Sequence, residues 1–173
     1  MTLPAGLVIA WGEVPAGVAR RAVSRRLLAQ VLPEARFLSR CPACGGDHGR
    51  VHVEGTDATV SVSYAPGWSV VAMTRGRARL GVDAAPHGAH GLERVLTDGT
   101  ADAAAWTRVE AVLKADGRGL AVDPARVDVQ VNASPRWRAA IRDGGRDDGP
   151  APLPWRGWDL EAPDGLVAAV ALR

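Results

Sequence analysis

The chain has 173 residues, 47% of them hydrophobic and 23% charged, which suits one soluble globular domain able to bury its own core. A formal net charge of +2 with a pI near 8.9 favours an anionic ligand but is too small to argue for nucleic acid. No apolar run approaches the length of a membrane span and no basic-then-apolar leader opens the chain, so a cytoplasmic protein is expected, and the two cysteines are too few for a secreted disulfide framework.

In chain order, the run from Leu3 to Trp11 predicts a first strand, with Pro4 near its start where an edge tolerates it. Val18 to Leu32 predicts a helix whose apolar stripe is Val18, Leu27, Leu28 and Val31, stopped by Pro33. Its other face carries Arg20, Arg21, Arg25 and Arg26 with no acid between them. Such a run is ordinarily a solvated face, and it could also hold phosphates. A Gly-rich segment follows, from Arg36 to Arg50. Cys41 and Cys44 with His48 and His52 have the composition of zinc ligands, but three residues between Cys44 and His48 leave no room for a finger helix. A tight loop that delivers His48 and Arg50 to a ligand is the preferred reading.

Val51–Val53 and Ala58–Tyr64 alternate as strands, and Trp68–Met73 with Arg77–Val82 predicts a hairpin turning at Arg75 and Gly76. Asp83 is then expected where strand gives way to loop, placed to hold a metal or to cap the turn. Leu92 to Leu96 predicts one helical turn. The stretch Trp106 to Leu120 predicts the second helix, with Trp106, Val109 and Leu113 on one buried stripe and Gly117 and Gly119 as its stop. Glu110 and Lys114 share a face at the edge of that stripe. Lys114 is the only lysine among 21 basic residues. A lysine kept where arginine is used everywhere else suggests a need for a compact, titratable ammonium; the plainer alternative is an exposed ion pair of slight value. Val127–Val131 and Trp137–Ile141 predict strands, 143–154 is a breaker-rich loop, and Trp158–Leu160 with Leu166–Leu172 predicts a closing hairpin. The fold class expected is α+β with mostly antiparallel strands. The segment Gly67–Ala72 faintly echoes Gly165–Val170.

Asp83 at the end of G-V-D, followed by W-x-x-x-E-A-x-x-K and G-x-G-L, resembles the 4′-phosphopantetheinyl transferases, in particular the Sfp-type branch. Ser24–Leu28 looks like that family's N-terminal arginine segment. Cys44-Gly45-Gly46-Asp47-His48-Gly49-Arg50 is similar to its C-G-x-x-H-G-K-P loop, and Val62–Trp68 to its S-H-S-x-x-x-W segment. The resemblance implies one transferase domain over residues 1–173, built from two similar α+β halves, about 1–84 and 85–173, related by a pseudo-twofold axis. It implies coenzyme A in the cleft between them, Mg²⁺ held by Asp83 and Glu110, and Arg25, His48, Arg50, Ser63, Tyr64 and Lys114 on the coenzyme. It further implies a reaction in which the serine of an apo acyl or peptidyl carrier protein receives phosphopantetheine, with Glu110 as base and Lys114 as phosphate-side acid. A monomer is expected.

Three positions depart from the pattern. Ala85 stands where a second acid is frequent, Val109 where a lysine is usual, and Tyr64 where the segment has histidine. They motivate a second reading, a relative that binds coenzyme A or a carrier protein without turnover. A third reading, a small zinc-binding interaction module, rests on Cys41, Cys44, His48 and His52.

Overall fold

The structure is a computed structural model that describes residues 2–41, 44–76, 78–92, 96, 102–142 and 155–173. The expected turn at 92–96 and the loop at 143–154 lie largely or wholly outside the described residues. The chain runs β1 (Val8–Glu13), α1 (Arg20–Val31), β2 (Arg36–Leu38), β3 (His52–Glu54), β4 (Thr59–Ala65), β5 (Trp68–Thr74) and β6 (Leu80–Pro86). It continues with α2 (Ala103–Asp116), β7 (Val127–Ala133), β8 (Arg136–Ile141), β9 (Trp155–Leu160) and β10 (Leu166–Leu172). All recorded strand pairs are antiparallel, so the α+β expectation holds.

The first strand begins later than its apolar run suggested. Gly6 takes φ +80° and the Leu7 amide donates to the Pro4 carbonyl at 3.1 Å, so Pro4–Leu7 is a turn, not a strand. The expected hairpin between β5 and β6 does not form. Both edges of β5 are filled, in the order β1-β5-β4, and β6 pairs with β10 at the edge of a second sheet ordered β6-β10-β9-β8-β7. That pairing also corrects the position of Asp83. The ladder with β10 runs on to Leu166 opposite Pro86, so Asp83 lies mid-strand, opposite Ala169.

Strand order in the two sheets is alike. In each, the first strand pairs with the last and the last with the one before it: β1-β5-β4, then β6-β10-β9. Each first strand is followed by a helix that packs on the first and last strands of its own sheet. The faint sequence echo falls on β5 and β10, the two matching last strands, each preceded by a glycine of positive φ (Gly67, Gly165).

Alternation along these strands builds the core in layers. On β5, Val71 and Met73 face α1 with Val23, Leu27 and Leu28, while Val70 and Ala72 join Leu80, Val82, Ala168, Val170 and Trp158 in a core shared by the two sheets. On β10, Ala169 and Ala171 face α2, meeting Val109, Val112 and Leu113. Because Leu80, Val82 and Ala84 point into the shared core, Gly81, Asp83 and Ala85 alternate onto the α2 side of β6. Gly81 is required there: a Cβ would lie 2.0 Å from the Ala111 carbonyl oxygen. Its absence lets α2 lie directly on β6. The helix itself is well bounded, with the Asp102 carboxylate accepting from the Ala105 amide at 2.7 Å and Gly117, at φ +87°, closing the C-terminus.

Candidate functional site

Four residues meet where β4, β6 and α2 come together. Ser61 and Ser63 alternate along β4 toward β6. The Val82 amide donates to Ser61 Oγ at 3.0 Å, and Ser63 Oγ donates to Asp83 Oδ1 at 2.7 Å. Hydroxyls thus stitch a seam between strands that belong to different sheets. From α2, Lys114 Nζ donates to Asp83 Oδ1 at 2.6 Å, to Ser63 Oγ at 3.0 Å and to the Val82 carbonyl at 3.2 Å. Lys114 is therefore no exposed partner of Glu110; its ion pair is with Asp83, which is only 7% exposed. Nor is Asp83 a turn cap.

Glu110, one turn before Lys114, is half-buried. Burial pushes its carboxyl pKa up from the ordinary 4.5, the Asp83 charge pushes it further, and Lys114 opposes both. Among the described residues the Glu110 carboxylate accepts no hydrogen bond, and both hydrogen bonds on the Asp83 carboxylate fall on Oδ1. Two carboxylates that repel, one with an unengaged oxygen, share the single positive charge of Lys114 and form a hard-oxygen donor set. A divalent cation of the Mg²⁺ kind fits that set.

Lys114 also lines a cleft of about 430 Å³. Arg20, Arg21 and Arg25 from α1, His48 and Arg50 from the Gly-rich loop, and Tyr64 from β4 line it too, and among the described residues no acidic side chain does. On the arginine face of α1, Arg20 is exposed and Arg21 partly so, as expected, and both also line the cleft, whereas Arg26 is exposed and outside it. Positions 20, 21, 24 and 25 share one helix face, a spacing that marks off Arg26. The Arg20 guanidinium lies 4.7 Å from the centre of the Tyr64 ring, whose hydroxyl is 2.9 Å from Ser24 Oγ. Arg50 has no hydrogen-bond or ion-pair partner among the described residues. Desolvation and then the Arg79 charge lower its pKa, with Asp116 opposing, so an anion beside it would be strongly welcomed.

Arg25 lines the cleft and also makes contacts that the sequence did not suggest. It donates to the Phe37 carbonyl at 2.8 Å and to Ser39 Oγ at 2.5 Å, and pairs with Asp47 at 3.4 Å. Ser39 Oγ in turn donates to Asp47, whose pKa is lowered chiefly by that bond. Arg25 ties α1 to the Gly-rich loop and so positions His48 and Arg50 as much as it lines the cleft. His52 lies on β3, apart from the cluster formed by Cys41, Cys44 and His48. Trp68 packs edge-on against Trp11 at 6.4 Å and Trp106 packs on the α2 core; neither lines the cleft.

No protein-family model matches the chain, and none of the curated proteins does either.

Proposed function

We propose that the protein transfers the 4′-phosphopantetheine arm of coenzyme A to a serine of an apo carrier protein. The observation that carries this reading is a cleft of arginines, with no acid among the described residues that line it, which meets through one shared lysine a cluster of buried Asp83 and Ser63 with half-buried Lys114 and Glu110. The cleft suits a ligand with three phosphates. The cluster suits displacement at phosphorus, where charge must be neutralised as it builds. The repeated strand order supports two halves about a pseudo-twofold axis, with Ser63 and Tyr64 supplied by one and Glu110 and Lys114 by the other.

The balance of the reaction follows from those groups. The carrier serine oxygen bonds to the phosphorus that bears pantetheine, the pyrophosphate P–O bond breaks, and adenosine 3′,5′-bisphosphate leaves. Glu110, its basicity raised by burial and by Asp83, takes the serine proton. Lys114 offers positive charge and, on giving up one of its three acceptors, a proton to the departing phosphate, which an arginine, permanently protonated, could not donate. Asp83 and Glu110 would hold Mg²⁺, whose role when bound is to screen the pyrophosphate charge. Ser63 orients Asp83 and Lys114 together.

Incubating the protein with coenzyme A, Mg²⁺ and a panel of apo carrier proteins, then weighing the carriers by mass spectrometry, tests this directly. The expected result is a phosphopantetheine adduct on at least one carrier. Folded protein that binds coenzyme A yet modifies none would instead support a binding relative without turnover, the reading that Ala85, Val109 and Tyr64 favour.

A further inference from the structure

Outside the Asp83 cluster, one group of soft ligands converges. Cys41 Sγ, Cys44 Sγ and a ring nitrogen of His48 all lie within 4.8 Å of one another, and His48 Nε2 is 2.8 Å from Cys44 Sγ. Around a tetrahedral zinc, with Zn–S near 2.3 Å and Zn–N near 2.0 Å, such atoms would stand roughly 3.5–3.8 Å apart. The three side chains are therefore placed for a metal with little movement.

The backbone holds this arrangement independently of the side chains. The Cys41 amide donates to the Gly46 carbonyl at 2.7 Å and the Gly45 amide returns to the Cys41 carbonyl at 2.8 Å. The Gly46 amide donates to Cys44 Sγ at 3.4 Å, the kind of bond that steadies a thiolate ligand. A side chain at Gly46 would meet His48 Cδ2 at 3.0 Å and Cys44 Sγ at 3.3 Å, so glycine makes the space in which the imidazole reaches the sulfur. Gly49 packs so closely that a Cβ would lie 2.5 Å from the Arg40 carbonyl oxygen, which closes the loop on itself.

We infer that Cys41, Cys44 and His48 bind one zinc ion, with solvent in the fourth position, and that this ion fixes the loop carrying Arg50 along the cleft. Binding is coordination by two thiolates and a neutral imidazole, with two thiol protons released to solvent. His52, whose composition first suggested a fourth ligand, takes no part. The site differs in place and chemistry from the hard-oxygen pair Asp83 and Glu110. The metal measurement uses no coenzyme A, so a failed transferase assay leaves it standing.

The test is reconstitution of the reduced, full-length protein with ZnCl2 or CoCl2 under anaerobic conditions, followed by removal of excess metal. About one equivalent per chain is expected, with a thiolate-to-cobalt charge-transfer band and tetrahedral d–d bands in the cobalt form. Cys44→Ser and His48→Ala should retain less than about a tenth of that metal with unchanged circular dichroism, His48→Cys should restore it, and His52→Ala should keep all of it. A reduced parent that takes up less than about a tenth of an equivalent overturns the inference. So does a His48→Ala variant that still holds a full equivalent.

Discussion

Lys114 is where residue chemistry and position agree. Its ammonium satisfies three acceptors from two strands at 2.6–3.2 Å, a convergence on one nitrogen that a planar guanidinium cannot copy. Lys114→Arg is expected to lower kcat by about 100-fold with the KM for coenzyme A changed less than about threefold, read from steady-state kinetics on a responsive carrier. Parent-like turnover would remove the amine from the mechanism. Glu110 makes a different prediction. Its folded pKa is raised, so it favours folding while protonated, and that contribution is lost as pH rises through the folded value. Glu110→Gln should therefore melt higher than the parent at pH 7.5, with the gap closing as pH falls toward 4.5, while losing activity. Added Mg²⁺ should raise the melting temperature of the parent and not of the variant; equal shifts in both would take the metal away from Glu110. The lone lysine and the Glu110–Lys114 spacing were legible in the sequence. That Lys114 pairs with Asp83 was not, because it depends on a strand 31 residues earlier in the chain.

At the level of elements, β6 and α2 were recognisable but their relation was not. The pattern Gly81-Val82-Asp83 looked like a strand running out into loop, whereas pairing with β10 carries it to Pro86. Local signals cannot reveal a partner that begins at Leu166. Gly81 is the residue that sets the distance between strand and helix. Gly81→Ala must displace α2, at a cost of about 2–3 kcal/mol, and so lower the melting temperature by roughly 4–10 °C. It should also impair turnover by lifting Lys114 away from Asp83. A parent-like melting curve would mean the helix has slack the structure does not show. For α1 the helix was legible and so was the exposure of Arg20; that Arg20 and Arg21 also form a cleft wall depends on the placement of the Gly-rich loop and β4, which the local pattern does not show. Arg50→Ala should raise the KM for coenzyme A about tenfold or more, the worth of a charge-assisted hydrogen bond, while Arg26→Ala leaves it unchanged. The same KM for both variants would dissociate the cleft from the coenzyme.

For the whole molecule, the two sheets share one core, and the candidate chemistry sits across their join. Alternation and turn residues were enough to predict the α+β class. They could not show which strand completes each sheet, since β1 and β6 both pair with strands at the far end of their own segment. A cleft walled by arginines, one histidine and one lysine should bind its anion less well as ionic strength rises. Between about 50 and 500 mM NaCl the KM for coenzyme A is expected to increase several-fold, and far less in Arg50→Ala. No helix among the described residues is long and apolar enough to cross a membrane.

The chain holds a single tyrosine, and it is Tyr64, set between Arg20 and Ser24 in the cleft wall. Biosynthetic replacement with a fluorinated tyrosine would thus place one ¹⁹F nucleus in the molecule, at the cleft, without any mutation. A titrant that enters there must disturb the guanidinium stacked on that ring. The resonance would report occupancy directly, in the presence or absence of a carrier protein, and would separate binding from turnover in one sample.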